Sequence, residues 1–169
     1  MKRIFVIRHS KASETAPDNS DFNRCLAPYG VRKATLISEY LAKDLKKVDL
    51  MLTSPACRAF ETAQIFAKAL DYPESKITGY DSLYHFGGAE KALEIISEVD
   101  NSVETLMIFG HNPTFNALAW HLCEDFRDGM PTSAVVGVEL NISSWKKIAK
   151  TKGKGKLITY VTKKQIQPF

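Results

Sequence analysis

Two histidines of this chain follow short apolar runs, each at the point where the run ends. Residues 4–7 lead into Arg8-His9, and residues 106–109 lead into His111. In an open sheet of parallel strands, ligands bind at the carboxyl ends of the strands. A neutral imidazole can attack phosphorus, and an arginine can hold two phosphate oxygens at once. The pattern therefore predicts phosphoryl transfer through a histidine.

A third strand end carries a second arginine. The apolar residues 50–52 precede Ser54-Pro55, which predicts a helix with Ser54 as its N-cap and Pro55 at its first position. Arg58 then lies on the first turn of that helix. Parallel strands would bring all three junctions to one edge of the sheet, where a helix N-terminus adds unpaired N–H groups and a partial positive charge. Such a pocket suits a dianion.

Helical and strand patterns alternate along most of the chain, which is typical of the α/β class. Strand-like apolar runs occupy residues 4–7, 50–52, 106–109, 134–142 and 157–161, and a weak strand is possible near Ile77. Apolar residues recur every three or four positions within residues 34–45, 59–70, 92–99 and 115–122, as in amphipathic helices. We expect a mainly parallel central sheet that ends in an antiparallel hairpin of the last two strands.

The cysteines and acidic residues do not match other classes of phosphatase. Cys25, Cys57 and Cys123 lack the arginine six positions later that a cysteine phosphatase uses to wrap a phosphate. No segment reads Gly-x-x-x-x-Gly-Lys-Ser/Thr, and the aspartates are not paired at strand ends as a metal-dependent phosphatase would require. Histidine remains the well-placed nucleophile, and we expect no cofactor and no metal ion.

Length and composition predict one globular domain. The 169 residues are 44% apolar and 25% charged, so we expect a single domain spanning residues 1–169. The three cysteines have no zinc or redox spacing, and no signal-peptide pattern or membrane-length apolar run is present. These features predict a reduced, cytoplasmic protein without a membrane partner.

Most of the excess positive charge lies near the end of the chain, in eight lysines between Lys146 and Lys164. This distribution predicts a solvated loop and an edge strand, where lysines discourage pairing with other sheets. Nucleic-acid binding through this stretch is a non-enzymatic alternative that salt-dependent binding would reveal. It would need aromatic residues interleaved with the charge or a recognised module, and neither is evident, so we expect no nucleic-acid partner.

Four sequence blocks, in order, resemble the histidine phosphatase superfamily, which includes phosphoglycerate mutase. Residues 8–10 resemble its Arg-His-Gly signature, residues 53–63 its Ser-Pro-x-x-Arg-Ala-x-x-Thr-Ala block, and residues 110–112 its third block. Residues 21–30 resemble an Asp-x-x-Arg-x-Leu-x-x-x-Gly stretch of the short phosphohistidine phosphatase (SixA-like) branch. The resemblance implies a three-layer α/β/α, phosphoglycerate mutase-like fold. Ser10 replaces the usual glycine of the signature, where a Cβ could crowd the phosphate.

The resemblance also implies roles for individual residues. His9 is the nucleophile, and it becomes a phosphohistidine that water then hydrolyses. Arg8, Arg58 and His111 bind the phosphoryl oxygens. Asn112 is most simply a helix cap by its position, but its side chain would lie beside the pocket, so it is a further phosphate-binding candidate. Lys11 and Arg24 are candidates for contact with the rest of the substrate.

The superfamily's usual proton donor is absent. Many members place a glutamate two residues after a leucine, but here Leu83-Tyr84-His85 puts His85 at that position. An alkoxide leaves poorly without a proton donor, whereas the imidazole of a phosphohistidine is a much better leaving group. The absence favours a phosphoramidate or an activated ester as substrate. His85 is either a donor when protonated or a loop histidine with no role.

We therefore expect a metal-independent phosphatase with a phosphohistidine intermediate, acting on phosphohistidine of a phosphorelay-type signalling protein. Short connections between the elements predict a shallow pocket that suits a side chain on a protein surface. We expect a monomer or a weak dimer. The alternatives are a small-molecule phosphomonoesterase acting on a sugar or nucleotide phosphate, and a phosphate-sensing module without catalysis.

Overall fold

The computed structural model describes residues 1–85 and 87–166, and within these ranges six strands form one sheet. The strands are β1 (Lys2–Arg8), β2 (Leu50–Thr53), β3 (Thr78–Gly79), β4 (Thr105–Gly110), β5 (Val135–Leu140) and β6 (Lys156–Val161). Their order across the sheet is β3-β2-β4-β1-β5-β6. β1 to β4 are parallel, β5 pairs antiparallel with β1, and β6 pairs antiparallel with β5. The α/β class, the mainly parallel sheet and the antiparallel C-terminal pair are thus confirmed, and β5 is the strand that runs against the others.

Helices cover both faces of the sheet. They are α1 (Pro28–Ala42), α2 (Cys57–Ala69), α3 (Gly88–Ser97), α4 (Thr114–Leu122) and the short α5 (Lys163–Ile166), with 3₁₀ turns at Glu74–Lys76, Asp81–Leu83 and Trp145–Lys150. α1 and α2 pack on the face that carries Phe5 and Ile7, whereas α3 and α4 pack on the face of Ile4 and Val6. Because both faces are covered, β1 is a continuous apolar run rather than an alternating one. The predicted three-layer arrangement is confirmed.

The carboxyl ends of three neighbouring parallel strands meet at one edge of the sheet. β1 ends at Arg8 and β4 ends at Gly110, and these two residues are register partners. β2 ends beside them at Thr53, the register partner of Phe109. The residues that follow each strand are therefore placed side by side, as the parallel arrangement predicts.

The helix after β2 begins later than the Ser-Pro signal predicts. α2 starts at Cys57 with Ala56 at its N-cap, so the prediction that Ser54 caps the helix and Pro55 begins it is wrong. The Ser54 N–H donates to the carbonyl of Phe109 (3.0 Å), which keeps Ser54 at the edge of the sheet. The Ser54 hydroxyl accepts the Ala56 N–H (3.2 Å) and lies beside the neighbouring junction, and α2 begins after this turn.

Two of the three cysteines are joined. Cys25 and Cys57 form a disulfide with their Cα atoms 4.7 Å apart, while Cys123 is free and buried. The expectation that all cysteines are reduced is therefore wrong for this pair. The two residues are 32 positions apart, and packing of the first loop (residues 9–27) against the start of α2 brings them together. Sequence spacing cannot report such a contact.

The lysine-rich stretch near the end of the chain lies on the surface. The six lysines from Lys146 to Lys156 are all exposed, and Lys156 begins the edge strand β6. This agrees with the prediction of a solvated loop and edge strand. Within the described residues, no helix has both the length and the apolar character needed to span a bilayer.

Candidate active site

Backbone hydrogen bonds across the sheet edge place the two histidines together. The His9 N–H donates to the carbonyl of Gly110 (2.9 Å), directly before His111. The ring centroids of His9 and His111 are 5.0 Å apart. Arg8 and Arg58 both lie close enough to lower the pKa values of these histidines through their charge. The structure thus brings together the four residues that the three strand ends predict.

One ring nitrogen of His9 is held by the backbone and the other is left for chemistry. The Nδ1 atom lies 2.7 Å from the carbonyl oxygen of Ser10. A carbonyl can only accept, so Nδ1 carries the proton and Nε2 carries the lone pair. Burial lowers the pKa of His9 to about 4, helped by the charges of Arg58 and Arg8 and opposed by the Ser10 hydrogen bond. At neutral pH His9 is an uncharged imidazole with the nucleophilic nitrogen unprotonated.

His111 is held from the neighbouring strand end. Its Nε2 atom lies 2.8 Å from the hydroxyl of Ser54. Burial, followed by the effects of His9 and Arg58, lowers the pKa of His111 to about 3. The Ser54 hydroxyl accepts the Ala56 N–H (3.2 Å), so it can donate its own proton to His111 Nε2. The single N–H of neutral His111 then lies on Nδ1, where it can donate to a phosphoryl oxygen.

Arg58 is buried, with only 6% of its surface exposed, and is oriented by the first loop. Its Nη1 donates to the backbone carbonyl of Asp21 (2.8 Å) and its Nη2 to Oδ2 of the same residue (2.9 Å). Its Nε–H is buried and has no hydrogen-bond partner among the described residues. Asp21 thus holds one edge of the guanidinium and leaves the Nε side available for an anion.

In Arg8, as in Arg58, one nitrogen of the guanidinium is hydrogen-bonded to the backbone and the Nε–H is not. Its Nη1 donates to the carbonyl of Met130 (3.0 Å), while its Nε–H is buried without a partner in the described part of the chain. An unpaired buried donor costs about 1–3 kcal/mol, more when it is charged. Two such donors beside a neutral histidine form an environment that a phosphoryl group would satisfy.

Asp21 is the acidic residue that organises this site. Partial burial would raise its pKa, but hydrogen bonds from Arg24, Arg58 and Tyr84 outweigh that effect and lower the pKa to about 2. The Tyr84 hydroxyl donates to Asp21 Oδ2 (2.9 Å), and the Tyr84 ring contacts the His111 ring at a centroid distance of 5.7 Å. Asp21 is therefore an ionised anchor for Arg58 at neutral pH.

Ser10, at the position of the signature's usual glycine, is fully buried. Its hydroxyl donates to the carbonyl of Gly30 (2.7 Å), and its N–H donates to the Thr62 hydroxyl (3.0 Å). The hydroxyl is engaged with the start of α1, where a Cβ at Gly30 would collide with the carbonyl of Lys11. Ser10 therefore packs the first loop onto α1.

The other predicted site residues occupy different places. Asn112 donates from Nδ2 to the Met130 carbonyl (3.0 Å) and accepts at Oδ1 from the Asn116 N–H (3.1 Å), so both ends of its amide are engaged within the protein. Arg24 donates from Nε and Nη2 to Asp21 Oδ1 (3.0 and 2.9 Å). Lys11 is exposed at the rim. Contact of these side chains with a substrate stays a prediction.

His85, the predicted proton donor, does not contact the His9–His111 pair directly. It is exposed, and its ring contacts the Tyr84 ring at 5.2 Å. Tyr84 in turn contacts the His111 ring. A donor role for His85 stays a prediction.

Sequence reasoning missed three residues of the site: Asp21, Tyr84 and Ser54. Asp21 opens the block at residues 21–30, which was a usable signal. Tyr84 lies between Leu83 and His85, within the segment compared for the missing glutamate. Ser54 was interpreted only as a helix cap, although its hydroxyl contacts His111.

One group of potential metal ligands occurs among the described residues, formed by Cys25, Cys57 and Glu61. The two sulfurs are bonded to each other and so are not thiolate ligands. The Glu61 carboxylate accepts the N–H of Leu26 (2.8 Å). This group does not form a donor set for a metal while the disulfide is present.

Comparison with known proteins assigns the family. Residues 4–83 match the histidine phosphatase superfamily (branch 1). An uncharacterized protein of Mycobacterium tuberculosis (strain ATCC 25618 / H37Rv) is 35% identical over 114 residues, which cover 67% of this chain and 67% of that protein. This chain belongs to the histidine phosphatase superfamily. An uncharacterized protein of Mycobacterium leprae is a further relative, 30% identical over 116 residues, or 67% of this chain and 68% of the relative.

Solved structures place this histidine phosphatase in the SixA-like branch. The putative phosphohistidine phosphatase SixA from Agrobacterium tumefaciens has a TM-score of 0.78 and 26% identity, covering 95% of this chain and 97% of that one. The protein histidine phosphatase SixA in complex with tungstate has a TM-score of 0.81 and 22% identity, covering 98% and 99% of the two chains. These findings support phosphatase activity and confirm the phosphoglycerate mutase-like fold.

The lowered pKa values lead to a testable pH dependence. We expect the imidazole C–H resonances of His9 to titrate near pH 4 and those of His111 near pH 3, instead of near 6.5 as in an unstructured peptide. Protonation of His9 should therefore reduce kcat/KM only as the pH falls through about 4. Unfolded histidine binds a proton below pH 6.5 while folded His9 does not, so stability should fall between pH 6.5 and 4.

The measurement is an NMR titration of the folded protein alongside a denatured sample as the reference. A His9 resonance that titrates near pH 6.5 in the folded protein would contradict the proposed neutral nucleophile.

Proposed function

We propose that this chain is a metal-independent phosphohistidine phosphatase that acts on a phosphorelay-type signalling protein. The observation that carries the proposal is the neutral His9, whose Nε2 is unprotonated beside the guanidinium groups of Arg8 and Arg58. The Nε–H donors of both arginines are buried and unpaired among the described residues. This arrangement combines a nucleophile for phosphorus with positive charge for the phosphoryl oxygens.

The first step is attack on phosphorus by the Nε2 lone pair of His9. The bond from phosphorus to the substrate nitrogen breaks, and the phosphoryl group is transferred to His9. The substrate ring carries a proton on its other nitrogen, so it leaves as a neutral imidazole. Arg8, Arg58 and the N–H of His111 stabilise the charge that spreads over the equatorial oxygens, which is the main catalytic contribution in phosphoryl transfer. Asp21 contributes by holding Arg58 in a fixed orientation.

The second step releases the phosphoryl group to water. Water attacks phospho-His9 in line with the P–N bond, the bond breaks, and inorganic phosphate leaves. The Ser10 carbonyl holds His9 Nδ1–H in both steps, so the ring keeps one tautomer and returns to its starting state.

The groups near His111 favour a substrate whose leaving group departs without protonation by an acidic side chain. The Asp21 carboxylate contacts Tyr84, which packs against His111. The pKa of Asp21 is about 2, so this carboxyl group is a poor proton donor at neutral pH. The Tyr84 hydroxyl donates to that carboxylate, and burial together with Asp21 raises the Tyr84 pKa. An alkoxide would leave poorly from such a site, whereas an imidazole departs more readily.

A protein substrate fits the exposure of the site. His9 and His111 are only half-buried, and Asp21, whose charge acts on His111, is exposed. A side chain that projects from a protein surface can therefore reach His9. The similarity to the putative phosphohistidine phosphatase from Agrobacterium tumefaciens, at 26% identity, supports the same substrate class.

Competing substrates provide the test. We expect kcat/KM at neutral pH to be at least about 10²-fold higher for a phosphohistidine protein than for sugar or nucleotide monophosphates, because a missing general acid costs about 10²–10⁴-fold. An aryl phosphate, whose phenolate leaves readily, should fall between the two classes. Initial rates of phosphate release would be measured on all three under identical conditions.

The variant His85→Gln tests whether His85 is the proton donor. It should slow alkyl phosphate hydrolysis more than phosphohistidine hydrolysis if His85 donates a proton, and should change neither if it has no role. A preference for an alkyl monoester would overturn the proposal and favour a small-molecule phosphomonoesterase.

A further inference from the structure

The Cys25–Cys57 disulfide lies next to the residues that orient Arg58. Cys57 directly precedes Arg58 at the start of α2, and Cys25 directly follows Arg24 in the first loop. Arg24 and Arg58 both donate to the carboxylate of Asp21. The covalent bond therefore joins the two segments whose contact sets the position of the phosphate-binding guanidinium.

Besides the disulfide and the contacts between Asp21 and Arg58, further hydrogen bonds join the first loop to α2 among the described residues, including that of the Ser10 N–H to the Thr62 hydroxyl (3.0 Å). The Cys57 N–H donates to the carbonyl of Phe22 (3.0 Å), and the Glu61 carboxylate accepts the N–H of Leu26 (2.8 Å). The Asp21 side chain is 52% exposed, so its ion pair with Arg58 is screened by solvent. Without the disulfide, the position of residues 21–25 depends on these hydrogen bonds and on the solvent-screened ion pair.

We propose that Cys25 and Cys57 form a reversible thiol–disulfide site that controls how strongly the pocket binds a phosphoryl group. The disulfide keeps Asp21 against Arg58 and so pre-organises the guanidinium for the anion. Reduction frees the first loop, Asp21 separates from Arg58 more often, and binding must then include the cost of ordering the arginine.

A dithiol reduces the Cys25–Cys57 disulfide by thiol–disulfide exchange. A thiolate of the dithiol attacks one sulfur and the S–S bond breaks. The second thiolate then closes the reductant's own disulfide. Two electrons and two protons pass to the protein, which leaves Cys25 and Cys57 as thiols. Hydrogen peroxide reverses the change, because it oxidises the two thiols to the disulfide and is reduced to two waters.

The surroundings of the pair suit such exchange. Both cysteines are partly exposed, so a small dithiol or the active site of a thiol reductase can reach them. Cys57 lies at the N-terminus of α2 beside Arg58, which favours the thiolate form, whereas the Glu61 carboxylate within 4.8 Å of the sulfurs opposes it. Cys123 is buried and lies outside this exchange.

The test compares oxidised and dithiol-reduced protein by two measurements that do not depend on the substrate. Alkylation of the denatured protein followed by mass spectrometry counts the thiols, and calorimetry gives the Kd of inorganic phosphate. We expect one alkylated cysteine in the oxidised protein and three in the reduced protein. We also expect phosphate binding to weaken about three- to tenfold on reduction, the scale expected for lost pre-organisation.

Variants separate the mechanism from a general loss of stability. Cys25→Ser should bind phosphate like the reduced protein and should not respond to the dithiol. Asp21→Asn should bind more weakly and should lose most of its response to reduction, because the disulfide acts through Asp21. Cys123→Ala should respond to the dithiol as the wild type does.

The catalytic readout rests on the proposed function, whereas the binding and thiol readouts do not. On reduction, kcat/KM for the phosphohistidine protein should fall by at least the factor by which phosphate binding weakens, because Arg58 contacts the phosphoryl group in both the bound state and the transition state. Three thiols in protein treated with peroxide, or equal phosphate affinity in both states, would overturn the inference. Redox-dependent phosphate binding without phosphohistidine hydrolysis would uphold it and contradict the proposed function alone.

Discussion

His9→Asn is expected to lower phosphohistidine turnover by at least about 10⁴-fold, since loss of a nucleophile removes the whole covalent route. Asparagine retains polarity and similar reach but has no nitrogen lone pair that can attack phosphorus. No labelled phosphoenzyme should form when the variant is mixed with a ³²P-phosphohistidine donor and quenched in alkali. In the wild type, a labelled peptide containing His9 should be recovered.

His121→Asn is the matched control for this experiment. His121 lies on α4 and outside the pair formed by His9 and His111, so the same chemical change there should leave turnover and phosphoenzyme formation intact. Full turnover by His9→Asn, or label on a different residue, would disprove the proposed mechanism. A wild-type protein that binds phosphate but forms no phosphoenzyme would favour the phosphate-sensing alternative.

Arg58→Lys is expected to lower kcat/KM by about 10²–10³-fold, the scale seen when one preorganised donor to the transition state is lost. Lysine keeps the positive charge but loses the planar fork that binds Asp21 with one edge and leaves Nε–H for the anion. The effect should appear mainly in kcat, because the charge on the oxygens is most widely spread in the transition state.

Arg127→Lys is the control for Arg58→Lys, because Arg127 is exposed and the same substitution there should not change activity. Arg58 is buried, so circular dichroism and thermal unfolding of the variant are needed alongside kinetics. A folded Arg58→Lys enzyme that keeps kcat/KM within a factor of about ten would contradict the proposed role of the guanidinium.

Local sequence patterns predicted most of the fold. β1 and β4 are runs of apolar residues because helices cover both faces of the sheet, and such runs are visible without knowledge of the partners. The convergence of His9, Arg58 and His111 follows from the same reasoning, because each comes directly after a strand or within the first turn of the following helix. Parallel strands place these positions at one edge.

The features that sequence reasoning missed depend on contacts between distant positions. Asp21 is 37 residues from Arg58 and 63 residues from Tyr84, and its role appears only when all three are brought together. Cys25 and Cys57 match no spacing motif because the first loop, rather than a short turn, brings them into contact. α2 begins later than predicted because Ser54 is bonded to β4 through its N–H and accepts the Ala56 N–H at its hydroxyl, so the helix starts after this turn.

The sequence by itself determined the class of fold, the family blocks and the candidate nucleophile, since these are recorded in local periodicity and in residues next to strand ends. Only the tertiary structure decided that His9 is neutral with its Nε2 unprotonated, because burial and the Ser10 carbonyl set that state. It also decided which edge of Arg58 is available to an anion, because Asp21 of the first loop occupies the other edge. Charge state and orientation depend on surroundings that the fold assembles from distant segments, and these two properties carry the proposed chemistry.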